Sequence, residues 1–94
     1  MSFEFTASYY MTRKVADRIA EDKYFADFVD SCIARFQRQD WGNLSREDRE
    51  ANDRAYASGD DSILASYQGA DGVRLWIMTE WDRSATTVLF PEEY

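Results

Sequence analysis

The sequence of 94 residues contains no histidine, one cysteine, one proline and four glycines. Without histidine, the chain lacks the side chain that most often serves as a general base or a metal ligand. A single thiol, Cys32, excludes a disulfide within the chain, so folding does not depend on oxidation. No run approaches the roughly 18 apolar residues that span a bilayer. These absences disfavour a histidine-based enzyme, a disulfide scaffold and a membrane-spanning protein.

The composition is that of one folded, acidic domain. The apolar fraction is 45% and the aromatic fraction 16%, which favours a globular chain over a disordered one. A length of 94 residues fits a single domain spanning residues 1–94. The charges sum to 11 − 18 = −7 at neutral pH, which disfavours nucleic acid and anionic membranes as direct partners. The N-terminus shows no basic segment followed by an apolar one, so no secretory signal is indicated and a cytoplasmic location is expected.

Two helices are predicted in the first half of the chain. Thr12 is a candidate N-cap for a short helix that carries Val15 and Ile19 one turn apart. The second helix has the clearest pattern in the sequence, with Asp22 near its start and an apolar stripe at helical spacing over about four turns. The stripe consists of Phe25, Phe28, Val29, Cys32, Ile33 and Phe36.

A loop and a third helix follow. Turn-forming residues within 40–44 break the helical pattern, and Trp41 is expected to anchor this loop to the core. Ser45, with an acid three residues on, approximates a capping box, and Gly59 is a stop signal for the helix that begins there. The apolar face of this helix is thin and consists of Ala51, Ala55 and Tyr56.

Beyond the third helix the apolar period changes to two. Residues 62–68, 73–81 and 86–90 are rich in β-branched and aromatic side chains and are predicted to be strands. Residues 69–72 and 82–85 are predicted to form the hairpin loops between them. The result is a three-stranded antiparallel meander.

The middle strand has two distinct faces. Val73, Leu75, Ile77 and Thr79 are expected to face the long helix, whereas Arg74, Trp76, Met78 and Glu80 face away. The predicted fold class is therefore α+β, with two to three helices packed on the meander. Residues 3–6 alternate apolar and polar side chains, which suggests either an extra N-terminal strand or an arm whose rings pack on the core.

Few residues support a chemical site. Cys32 lies in the apolar stripe without a histidine to activate it, so we interpret it as a small buried hydrophobe. The acid pairs at 60–61 and 92–93 lack the ligand spacing of a calcium loop and are interpreted as solvated charges. The glycines of loop 69–72 flank an aspartate, which would repel a phosphate. We predict no catalytic residue, metal or cofactor, although a carboxylate pair for glycoside cleavage stays open as an alternative.

The acid excess is concentrated in the middle of the chain. Residues 40–61 carry seven acids against three bases, which is −4 of the total of −7. Carboxylates three or four residues apart on a helix are about 5–6 Å apart at Cβ, comparable to the spacing of successive phosphates on one strand of nucleic acid. Such a face can imitate a phosphate track, whereas the simpler interpretation is solvated charge that keeps a small protein in solution. The candidate partner-binding residues are Asp40, Glu47, Asp48, Glu50, Asp53, Asp60 and Asp61.

Two blocks carry a family resemblance: residues 40–49 (DWGNLSREDR) with Asn52, and residues 79–91 (TEWDRSATTVLFP). They resemble a family of small bacterial proteins carried by chromosomes and by mobile elements such as plasmids and phages. The resemblance covers most of the chain from Met11 onward, and the family has no catalytic motif to carry over. Small acidic proteins of mobile elements include anti-CRISPR and anti-restriction proteins, several of which resemble DNA in charge. The resemblance therefore favours an inhibitor without naming its target.

Three functional hypotheses follow. The first is an acidic, non-enzymatic inhibitor, monomeric or weakly dimeric, that binds a basic nucleic-acid-binding surface of a host defence complex such as a CRISPR effector and blocks DNA recognition by charge mimicry. The second is a small housekeeping or regulatory module that docks through an apolar sheet face around Trp76 and Met78, provided that the chain does not cover this face itself. The third, a small enzyme, requires a deep pocket with convergent polar groups.

Overall fold

Three helices pack on a four-stranded sheet in the structure, a computed structural model that describes residues 8–94. The predicted α+β class is confirmed. The segment 3–6, predicted as a strand or an arm, lies outside the described residues. The elements are β1 (Ser8–Met11), α1 (Arg13–Glu21), α2 (Lys23–Gln37), α3 (Arg46–Ser58), β2 (Ile63–Gln68), β3 (Arg74–Thr79), β4 (Ala85–Leu89) and a short 3-10 helix (Pro91–Glu93).

The sheet has the strand order β1-β4-β3-β2. Strands β2, β3 and β4 form the predicted antiparallel meander. β1 adds to it in parallel beside β4, with Tyr9 opposite Thr86 and Met11 opposite Val88. The predicted meander is thus confirmed, and the N-terminal strand β1 extends it to a mixed sheet of four strands. A parallel neighbour needs a long connection, and here that connection contains all three helices and the first hairpin.

Side-chain caps set the start of each helix. The Thr12 hydroxyl accepts a hydrogen bond from the backbone N–H three residues on at 3.3 Å, as predicted. The Asp22 carboxylate accepts two N–H groups of the first turn of α2, at 3.0 Å and 3.2 Å. The Ser45 hydroxyl accepts one from α3 at 3.1 Å, and Gly59 ends that helix in the left-handed conformation with φ +74°. Each cap satisfies an N–H group that the helix itself leaves without a partner.

The core lies between α2 and the sheet. The α2 stripe is confirmed, with four of its six residues buried and with Phe28 and Ile33 half-buried against the core. β3 buries Leu75, Ile77 and Thr79, which confirms the predicted inner face. The buried indole of Trp41 packs edge-on against a ring of α2, so its anchoring role is confirmed as well. Every helix within residues 8–94 is too short or too polar to cross a bilayer.

The outer edge of β2 is covered by α3 and the loop before it. The side-chain amide of Asn52 donates to the Leu64 carbonyl at 2.8 Å and accepts from the Leu64 N–H at 3.3 Å. Trp41 and Asn43 bond to the two backbone groups of Ser66, at 3.2 Å and 2.6 Å. These bonds satisfy groups that would otherwise form an open sheet edge.

The buried face of α3 differs from the prediction. Asn52 and Ala55 are buried, whereas Ala51, predicted on this face, is exposed. The hydrogen bonds between Asn52 and β2 explain the difference, because they make a polar residue the inward-facing one.

Candidate functional site

All seven carboxylates predicted as the binding surface are exposed, and they lie along α3 or at its two ends. Asp40 precedes the helix in the loop, four of the others lie within it, and Asp60 and Asp61 follow it. A helix of 13 residues is about 20 Å long, so the group extends over at least that distance. The structure therefore gathers the seven around one element.

Asp40 is engaged in holding the turn that follows α2. Its two carboxylate oxygens accept from Nε and Nη2 of Arg35 at 2.7 Å and 3.2 Å, and one of them also accepts from the N–H of Gly42 at 3.1 Å. The hydrogen bond from Arg35 lowers the pKa of Asp40 below its ordinary value. The same guanidinium stacks 5.0 Å from the ring centre of Tyr67, whose hydroxyl donates to the Asp40 carbonyl at 2.8 Å. Asp40 is therefore a structural residue.

Two carboxylates of α3 also have partners. Glu50 accepts from Nε of Arg46 at 3.0 Å, an exposed pair one turn apart that contributes only about 0–1 kcal/mol. Asp53 accepts from the indole N–H of Trp41 at 2.8 Å. Because the Trp41 ring is buried, this bond satisfies a donor that has little access to water. Asp53 therefore stabilises the fold in addition to contributing negative charge to the surface.

The other four carboxylates form no ion pair among the residues that the structure describes. Glu47 and Asp48, the N-terminal acidic pair, lie in the first turn of α3, where negative charge is favourable. Asp60 and Asp61, the C-terminal acidic pair, follow the helix, and each accepts one hydrogen bond from a neighbouring serine, at 2.7 Å and 2.8 Å. These two pairs are the carboxylates available to a partner.

Arginines interrupt the row of acidic residues along α3. One stripe of α3 carries Arg46, Glu50 and Arg54, because these residues are spaced four apart along the helix. All three side chains are exposed. The stripe therefore alternates in sign. The structure brings the seven carboxylates to one helix and its two ends but not into one continuous row.

The face of the sheet opposite the helices carries an apolar row. Tyr10, Thr87, Met78 and Leu64 lie side by side across the four strands, and each is half-buried or exposed. We call this row the open sheet face. Trp76 lies beside it, half-buried, with the ring of the C-terminal tyrosine 5.6 Å away in an edge-on contact. The residues that the structure describes thus cover this side only in part.

Arg83 has a structural role that the sequence did not reveal. Its sequence context suggests an exposed pair with Glu80 or Asp82. In the structure its guanidinium donates instead to backbone carbonyl oxygens, at 2.7 Å to Ala55, at 3.3 Å to Glu80, and to Asp61. It thereby joins the C-terminal end of α3 to the β3–β4 turn, where a cation is favoured by the helix dipole.

The geometry gives little support to the alternatives of an enzyme or a metal site. Cys32 is buried as predicted, and burial raises the pKa of its thiol to about 12. Within residues 8–94, no three acidic, cysteine or histidine side chains come together as a metal site would require. Two open grooves are present, of about 460 Å³ beside the start of α2 and about 550 Å³ beside α1.

Comparisons with known proteins give no match to a family model, to a curated protein or to a solved structure. The family resemblance of residues 40–49 and 79–91 therefore stays a prediction. In the structure, residues 40–49 form the loop beside β2 and the start of α3. Residues 79–91 include the β3–β4 turn and β4.

Proposed function

We propose that this chain is a non-enzymatic inhibitor that binds a cationic, nucleic-acid-binding surface of another protein and keeps nucleic acid away from it. One observation carries the proposal: the N-terminal and C-terminal acidic pairs stay exposed, without an ion pair among residues 8–94, in a protein of net charge −7. Exposed carboxylates attract a cationic surface and speed association with it. The family resemblance suggests a host defence complex, of the CRISPR or restriction type, as the target.

The geometry supports a two-point contact better than a continuous phosphate track. The two acidic pairs are separated by the length of α3, about 20 Å, which corresponds to roughly six base-pair steps of a duplex. Arg49 and Arg54 lie between them along the helix and would repel a uniformly basic groove. A partner with two basic clusters at this separation fits the charge distribution best.

Capture from a lysate of the host cell tests the proposal. A variant with four substitutions, the fourfold variant, neutralises both acidic pairs. A second variant, the four-site control, removes the same amount of charge at four positions in α1, α2 and the C-terminal segment. If the proposal is right, wild type and control capture a DNA-binding protein that added duplex DNA releases, whereas the fourfold variant does not. Equal capture by the fourfold variant, or a complex that DNA does not release, would contradict it. The substitutions are Glu47→Gln, Asp48→Asn, Asp60→Asn and Asp61→Asn, against Asp17→Asn, Glu21→Gln, Asp30→Asn and Glu92→Gln.

A second candidate is an interaction module that uses the open sheet face to bind an apolar surface of another protein. The exposure of Tyr10, 55%, favours it, because aromatic residues of this kind are enriched in the energetically dominant parts of interfaces. In that case Met78→Lys abolishes capture, high salt does not, and the fourfold variant binds normally. Retained capture by Met78→Lys excludes this surface.

A further inference from the structure

A groove remote in sequence from residues 40–61 lies between the first two turns of α2 and the β2–β3 loop. We call it the α2 groove. Its volume of about 460 Å³ falls within the range of known ligand sites, roughly 300–1,000 Å³. None of the described residues that line it is basic. Its apolar lining includes Phe25, Phe28 and Val73, and its carboxylates are Asp22, Asp27 and Asp71.

The three carboxylates differ in how far they are already engaged. Asp22 caps α2, so its charge is offset by the partial positive charge of the helix N-terminus. Asp71 uses one oxygen to accept the N–H of Val73 at 3.1 Å within the hairpin loop. Asp27 is exposed and forms no ion pair with any described residue. The groove therefore combines an aromatic floor with at least one carboxylate available for pairing.

The chain itself shows which group suits this combination. The guanidinium of Arg18 lies 4.9 Å from the ring centre of Phe25, and its Nε lies 3.4 Å from a carboxylate oxygen of Asp22. Arg18 itself does not line the groove, but Phe25 and Asp22, the two residues it contacts, both do. A guanidinium that stacks on a ring and pairs with a carboxylate thus already exists at the edge of the groove.

We propose that the α2 groove binds an arginine side chain of a partner protein, with its guanidinium stacked on Phe28 and paired with Asp27 and Asp71. Charge complementarity selects a cation, and the aromatic floor selects the planar guanidinium over the strongly hydrated ammonium of lysine. The groove shares no residue with the acidic pairs at the ends of α3, so this proposal stands or falls separately from the inhibitor function.

Titration of the ¹⁵N-labelled protein with the blocked tripeptide Gly-Arg-Gly, followed by amide chemical shifts, tests the proposal. We expect saturable millimolar binding, with the largest shifts at residues 25–28 and 69–73. Asp27→Asn weakens this binding about two- to five-fold, the range for one exposed ion pair. Asp30→Asn, a change at another exposed aspartate of the same helix outside the groove, leaves it unchanged.

Several outcomes would overturn the proposal. These are shifts centred on α3, equal effects of Asp27→Asn and Asp30→Asn, equal affinity for Gly-Lys-Gly, or no saturation in the millimolar range. The amide spectrum of each variant reports whether it is folded. The fourfold variant keeps the α2 groove intact, so normal peptide binding by a variant that captures no partner separates the two proposals.

Discussion

The indole nitrogen of Trp41 donates a 2.8 Å hydrogen bond to the carboxylate of Asp53, twelve residues further along the chain. The bond joins the loop before α3 to the middle of that helix, while the Trp41 ring packs edge-on against Phe36 with ring centres 5.3 Å apart. One of the seven carboxylates of the acidic surface is therefore an acceptor that the buried indole requires. The acids with no such internal role lie at the two ends of α3.

Replacing Asp53 separates its charge from its hydrogen bond. Asp53→Leu leaves the buried indole N–H without its acceptor and is expected to cost about 1–3 kcal/mol of unfolding free energy. Asp53→Asn keeps an acceptor oxygen and should cost less than about 1 kcal/mol. Urea unfolding followed by tryptophan fluorescence measures both. Equal stability of Asp53→Leu and wild type would show that the bond contributes nothing.

Gly42 is required where the loop passes β2. It has φ +80°, and a Cβ atom there would overlap the carbonyl oxygen of Ser66 and lie 2.6 Å from a ring carbon of Tyr67. Gly42→Ala is therefore expected to cost about 2–4 kcal/mol, from backbone strain and overpacking together. The matched control is Gly59→Ala, with φ +74° and no atom of residues 8–94 beyond its chain neighbours within 4 Å of the added Cβ, so that only the backbone strain of about 1–2 kcal/mol applies. Similar losses of stability in the two variants would contradict the steric argument.

Arg83 should not tolerate lysine, although the charge is kept. A lysine ammonium cannot reach the carbonyl groups on α3, on the loop before β2 and in the β3–β4 turn with the same geometry as a guanidinium. We expect Arg83→Lys to lose about 1–3 kcal/mol, measured by chemical denaturation. Arg54→Lys, the same change at an exposed position of α3, should fall within about 0.5 kcal/mol of wild type. A stable Arg83→Lys protein would exclude the bridging role.

Features set by near neighbours were predicted from the sequence. The caps at Thr12 and Ser45, the stop at Gly59 and the stripe of α2 depend on residues within one or a few turns, so periodicity and cap chemistry reveal them. The meander follows in the same way from the alternation within each strand and the turn residues between strands.

Features set by distant partners were not predicted. Asn52 bonds to β2 twelve residues away, and Arg83 bonds to Ala55 at a separation of 28 residues. A polar residue on a helix and an arginine in a turn each suggest exposure, and nothing in the local pattern reveals the backbone groups that they satisfy. The parallel pairing of β1 with β4 is equally long-range.

The sequence locates the excess negative charge in residues 40–61, but it gives no reason to distinguish among the seven carboxylates there. Only the folded structure shows that Asp40 is held by Arg35 and Asp53 by Trp41. It also shows that arginines share the outer stripe of α3 with Glu50. The division into acids that serve the fold and acids open to a partner therefore could not come from charge counting.

The ion pair between Asp40 and Arg35 should appear in the pH dependence of stability. Because Arg35 lowers the pKa of Asp40 in the folded state, the stabilisation is present above the ordinary pKa of an aspartate and is lost as the pH falls through the folded pKa. The stability difference between wild type and Asp40→Asn should therefore shrink between about pH 6 and about pH 3. Urea unfolding at several pH values measures it, with Asp30→Asn as the control for removing an aspartate outside any described ion pair. A constant difference across this range would mean that the pair does not stabilise the fold.

The most direct measurement is the dissociation constant of the captured partner as a function of salt, for wild type, the fourfold variant and the four-site control. If the acidic pairs at the ends of α3 carry the interaction, affinity falls steeply between about 50 mM and about 500 mM NaCl for wild type and control. The fourfold variant then binds weakly at low salt and shows a shallower dependence. An affinity that stays constant over this range, or a fourfold variant that binds like wild type, would contradict the proposed function.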